Sequence, residues 1–159
     1  MGGFLSSYWG YAGDDEVDPA SGLTGKEKRL VTETWAIMRQ EPMKLGITIM
    51  MNLLTKHPDY QNQFNAFKNV SLNDLPKNKR FQAHCTAIVN AISATVDSLN
   101  DPGLLEATLL TLGEKHQKRG QTKEQFNNLK LILLSTTFRE FLGSRWTPEV
   151  NNAWKNTLD

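Results

Sequence analysis

In DPGLLEATLLTLGEKHQKRGQTKEQFNNL, residues 101–129, one helix starts and stops, another begins, and a histidine closes the apolar face of the first. Asp101 is a capping residue and Pro102 suits a first helical turn, where a missing N–H costs nothing. Leu105, Leu109, Leu112 and His116 follow at spacings of four, three and four, the repeat of one helical face. Lys118 and Arg119 complement the negative end of that helix, and Gly120 can stop it. Thr122 with Gln125 then forms a capping box for a further helix through Phe126, Leu129, Leu133, Leu134, Phe138 and Phe141, which Gly143 can end.

Upstream, Phe81, Cys85, Ile88, Val89, Ile92, Val96 and Leu99 predict a long helix over about 77–99, with His84 beside its stripe. Pro42 opens another helix carrying Leu45, Ile49, Met50, Leu53 and Leu54 up to the His57-Pro58 break. Gly46 inside it is unfavourable by about 1 kcal/mol against alanine, which predicts a close helix crossing there, with Cys85 as the small neighbour. Thr24 and Glu27 read as a capping box for a first helix through Leu30, Val31, Thr34, Trp35 and Met38. Tyr60 and Phe64 fall on a short turn after Pro58, and 65–76 is an irregular connection anchored by Phe67, Val70 and Leu72. Thr147-Pro148 caps a last helix through Val150, Trp154 and Leu158. The result is an all-α domain of about six or seven helices with no strand hairpin.

The chain has 159 residues, a formal charge of +1 and one cysteine. That size suits one domain with one core. The balanced charge, with no basic stripe interleaved with aromatics, gives no reason to expect a nucleic-acid partner. A single cysteine excludes an intrachain disulfide and cysteine-based metal clusters, and suits a reducing cytoplasm. No run approaches the roughly 18 apolar residues of a spanning helix, and no secretory signal opens the chain. Residues 1–22 are rich in Gly, Ser and Asp without a sustained period and read as a flexible extension, so the folded domain is expected over 23–159.

A histidine beside a core stripe is ordinarily a packing residue, and periodicity alone leaves the function open. The combination of motifs, however, resembles the globin family over nearly all of 23–159. Trp35 sits in the first helix, and KHPDYQNQFNAF (56–67) resembles the family's proline turn with a phenylalanine six residues on, here Phe64. FQAHCTAIV (81–89) and LLTLGEKHQKRG (109–120) resemble its distal and proximal helices, and RWTPEVNNAWKNTL (145–158) its final helix. The resemblance implies a globin fold, a three-on-three helical sandwich of about seven or eight helices around haem b.

Carried over position by position, His116 is the proximal iron ligand and His84 the distal residue, a sixth ligand where it reaches the iron. Phe64, Phe67, Met50, Leu53, Ile88, Leu112, Phe126 and Leu129 form the pocket wall, while Arg80, Lys115 and Arg119 flank the haem edge. Cys85 reads as a buried spacer, and His57 receives no metal role. The expected ligands are dioxygen and other diatomic gases. The alternatives left open are a six-coordinate bis-histidine globin serving redox signalling, nitric oxide dioxygenation or nitrite reduction with an electron-donating reductase, and a haem-free interaction module. Retention of both histidines and Phe64 argues against the module. Whether the chain is an enzyme, and whether it is a monomer or a homodimer, stays open. The final helix is shorter than is usual in the family, which implies a looser proximal side or a covering partner.

M-G-G-F-L-S places Gly2 and Ser6 where an N-myristoylation pattern requires them, and this resembles the extended, acylated globin X group. The alternative is a plain flexible tail; one acyl chain gives marginal affinity and DDEVD (14–18) is acidic, so any association with the inner face of the plasma membrane is expected to be weak and reversible, aided by Phe4, Leu5, Tyr8, Trp9 and Tyr11.

Overall fold

The computed structural model describes residues 14–159, so Gly2, Ser6 and the aromatic residues of the first eleven positions lie outside the described residues. Seven α-helices follow in order among the described residues: α1 (Gly25–Met38), α2 (Pro42–Lys56), α3 (Lys79–Asp97), α4 (Pro102–Lys118), α5 (Lys123–Ile132), α6 (Phe138–Leu142) and α7 (Pro148–Leu158). The sheet content of the described residues is one isolated antiparallel bridge, Val17 to Thr24. Short 3-10 turns cover Pro58–Gln63, Leu75–Lys77 and Gly143–Arg145.

The helix ends obey local chemistry. The side chains of Thr24, Asn78, Asp101, Thr122 and Thr147 each accept a backbone N–H of the helix they precede, and Thr122 with Gln125 makes both bonds of a capping box. Of the box expected at Thr24 and Glu27, the structure makes the Thr24 bond, while the Glu27 carboxylate takes the side-chain N–H of Asn156 on α7. Gly120 and Gly143 end their helices with φ of +73° and +53°, positive values that glycine adopts without a Cβ penalty.

One finding corrects the sequence reading. The helix expected to run unbroken from Thr122 to Gly143 contains a π turn, Leu133–Thr137, between α5 and α6. The N–H of Phe138 reaches back to the carbonyl of Leu133, and the Asn52 amide on α2 donates to the buried Thr137 hydroxyl at 3.0 Å. A bulge set by such a cross-helix bond leaves no mark on apolar spacing. Residues 14–22, read as part of the flexible extension, are clipped to α1. Asp14 pairs with Arg29, the N–H of Lys26 donates to the Asp14 carbonyl, and Lys28 pairs with Asp18 at 2.7 Å. The Lys28 ammonium, the N–H of Ala20 and the Ser21 hydroxyl hold the Asp18 carboxyl down at about 2. An acidic stretch of no apolar period thus still binds a basic helix face.

The core has two parts. In the first, Trp35 on α1, Phe138 on α6 and Trp154 on α7 form a triangle with ring centroids 4.7–6.3 Å apart. Trp35 donates to Ser93 and Trp154 to the buried Thr34, each at 2.9 Å, so neither indole N–H is stranded. In the second, Met50, Leu53, Leu54, Phe67, Leu75, Phe81, Cys85 and Ile132 pack where α2 crosses α3. A Cβ at Gly46 would run into the Cys85 carbonyl, which is the close crossing that the sequence implied. Since that obstacle is helix backbone, Gly46→Ala is expected to cost about 2 kcal/mol or more by urea denaturation, beyond what a helix interior normally gains from alanine. An unchanged or increased stability would mean that the crossing can open without loss.

Candidate functional site

Each predicted iron ligand lies on an apolar helical face, and each is half-buried. His116 stands in the last turn of α4, where its Nδ1 is 2.7 Å from the carbonyl of Leu112, one turn earlier. A carbonyl only accepts, so the proton belongs on Nδ1 and Nε2 keeps its lone pair. The edge of the His116 ring meets Phe126 on α5, with centroids 4.8 Å apart.

His84 stands on α3 next to Cys85 and is surrounded by rings. Phe64 lies 4.8 Å and Phe67 5.8 Å from it, centroid to centroid, and these two phenylalanines stack on each other at 4.9 Å. Gln61 holds their loop in shape by donating to the carbonyls of Phe67 and Val70 at 2.9 and 2.7 Å. Burial pushes the His84 imidazole down to about 4, and the charges of Arg119 and His116 on α4 push it the same way. The charge of His116 thus bears on His84, although 32 positions separate them.

The predicted wall residues divide into three groups. Ile88 and Leu129 are half-buried and bridge both parts of the core. Leu112 is half-buried and lines a cavity of about 390 Å³ between α3 and α4, and Phe126 is 41% exposed. Leu53, at 7%, and Met50, at 1%, are enclosed by protein. A larger cavity of about 650 Å³ on another face of α4, lined by Ala20, Leu105, Leu110 and Gly113 among others, takes in none of the predicted site residues.

Arg80 and Lys115 are exposed, and Arg119 is tied to the site through its effect on His84. His57 stacks on Tyr60 at 4.8 Å, and the Tyr60 hydroxyl accepts from Asn128 at 2.7 Å, a link from the loop to α5 that periodicity does not signal. Cys85 is fully buried and its thiol is pushed up to about 12 by burial, so it is a spacer and not a nucleophile.

The family model for Globin matches residues 47–159, and the chain belongs to the globin family. It is 32% identical over 117 residues to an extracellular globin-E1 of Artemia sp., a match covering 73% of this chain and 60% of that protein. It is 27% identical to an anaerobic nitrite reductase HBII of Casuarina glauca over 87% of each chain. Among solved structures, a hexacoordinated heme protein from an anhydrobiotic tardigrade superposes with a TM-score of 0.81 at 20% identity, covering 89% of this chain and 91% of that one. A hexa-coordinate hemoglobin of Drosophila melanogaster gives 0.77 at 26% identity, covering 84% and 87%. Seven helices and these neighbours make the fold that of a globin. The family implies haem and the binding of diatomic gases.

The donor set fits that cofactor. Iron takes neutral imidazole nitrogen, and the site offers one imidazole with its Nε2 free and another kept neutral among phenyl rings. The depressed His84 basicity also predicts acid sensitivity of the haem-free chain. Above pH 6.5 both folded and unfolded chains leave His84 neutral; from 6.5 down towards 4 the unfolded chain gains a proton that the folded one refuses, so stability is lost over that window. Between pH 7 and pH 5 the chain should lose roughly 1–2 kcal/mol more than His84→Gln in urea denaturation. Parallel pH profiles would show that the imidazole is no less basic folded than unfolded.

Proposed function

We propose that the chain is a haem b globin that reversibly binds dioxygen and other diatomic gases, with His116 as the proximal ligand and His84 as the distal residue. One observation carries this reading: the Nδ1 of His116 is committed to the Leu112 carbonyl, while His84 on α3 is kept uncharged by burial among phenyl rings. When bound, the haem supplies an iron that coordinates a diatomic gas and exchanges one electron.

The remaining chemistry is that of the chain. The Leu112 carbonyl fixes the tautomer of His116 and, through the short bond, the plane of its ring. His84 offers a neutral ring N–H to the ligand side, and such a donor favours a polarised, partly negative oxygen over carbon monoxide. Phe64, Phe67, Leu53, Ile88, Leu112, Phe126 and Leu129 exclude water, which retards oxidation of the iron, and Met50 supports them from behind.

A second reading is favoured by the neutrality of His84, which leaves its ring nitrogen free to act as a sixth ligand in the absence of gas. The hexa-coordinate fly hemoglobin supports it, and the nitrite reductase among the relatives supports redox chemistry served by a reductase. An acyl group on Gly2 would add weak membrane contact; among the described residues no helix is long and apolar enough to cross a membrane.

The visible spectrum of the purified, reduced, ligand-free protein beside its His84→Leu variant separates these readings. Split bands that collapse to one broad band in the variant mean bis-histidine coordination, and a broad band in both means an open position. His116→Gly should lose the Soret band and regain it with added imidazole. A protein without a Soret band in any form would overturn the haem reading.

A further inference from the structure

We propose that the helix ends around the His84–His116 site form a cationic docking face for a protein partner with an acidic surface. Lys77, Lys79 and Arg80 stand at the start of α3, Lys115, Lys118 and Arg119 at the end of α4, and Lys123 at the first position of α5; all seven are exposed. The turn at 98–101 makes α3 and α4 a hairpin of nearly equal arms, 19 and 17 residues, or about 28 and 25 Å, so the start of α3 and the end of α4 share one end of the molecule. The action of Arg119 on His84 shows the same proximity.

This region holds seven of the 18 basic residues but, with Asp74, Glu114 and Glu124, three of the 17 acidic ones. The rest of the chain therefore carries an acidic excess. Among the described residues none of the seven cations is in an ion pair, and Lys79 donates only to the neutral Gln82 amide.

Helix energetics explain only part of this arrangement. Cations at the end of α4 suit its negative pole, but Lys79, Arg80 and Lys123 sit in first turns, where the positive pole opposes them. The first turn of α3 has no acidic residue at all. Residues that oppose the local preference of their helix are expected at functional surfaces.

A protein surface fits better than a lipid one. A uniformly anionic bilayer would repel the three interspersed carboxylates, whereas a protein can match them with cations of its own. The haem reading gives the face its use, since the partner would lie at the mouth of the site. Binding itself does not depend on that reading.

The test titrates the full-length protein, as purified, with a plant-type [2Fe–2S] ferredoxin, a small acidic electron carrier, by calorimetry at low and high salt. Affinity should fall about tenfold with salt and about tenfold in the triple variant Lys79→Glu, Arg80→Glu, Lys123→Glu, and less than about twofold in the equally charged Lys44→Glu, Lys56→Glu, Lys155→Glu. The first variant should melt no lower than the parent, because glutamate suits a helix start. Equal losses in both variants would reduce the effect to net charge, and absence of ferredoxin binding at low salt would overturn the proposal. Tighter binding to phosphatidylserine-containing vesicles than to ferredoxin, lost in the first variant, would overturn it in favour of a membrane.

Discussion

The backbone contact between α2 and α3 at Gly46 and Cys85 governs the rest of the structure. With no side chain at Gly46, α3 approaches until the Cys85 carbonyl would touch a Cβ, and this depth lets Met50, Leu54, Phe81 and Ile132 close one half of the core. His84 precedes Cys85 by one residue, about 100° around the helix. Seating Cys85 against α2 therefore turns His84 towards Phe64 and Phe67. The spacer and the site residue are consequences of one crossing.

The ends of the chain are held by different means. Two indoles and a phenyl ring lock α1, α6 and α7 together, each buried aromatic contributing roughly 1.5–3 kcal/mol, and the buried N–H groups are met by Ser93 and Thr34. α4 has Leu105 as its one buried residue and leaves Leu104, Leu109 and Leu110 about half exposed. Its position comes from its hairpin with α3, so the place of His116 beside α3 follows from topology more than from packing.

Desolvation shapes the chemistry of the site in one direction. It keeps His84 uncharged and the Cys85 thiol protonated, which leaves imidazole nitrogen as the available donor type. Charge is kept outside, on the helix ends, where water screens it.

Helix starts, stops and apolar faces were legible in the sequence because each depends on residues within a turn or two: Asp101-Pro102, Thr122 with Gln125, Gly120, and the stripe that ends in His116. The resemblance to the globins paired that histidine with His84, and Gly46 signalled the crossing through its unfavourable propensity. The tertiary structure alone decided the π turn at Leu133–Thr137, which a bond from Asn52 accompanies across 85 positions, and the clipping of residues 14–22 to α1 by ion pairs. It also decided that protein encloses Met50 and that the charge of Arg119 bears on His84. Each of these depends on which distant side chains meet, and periodicity along a single helix holds no information about that.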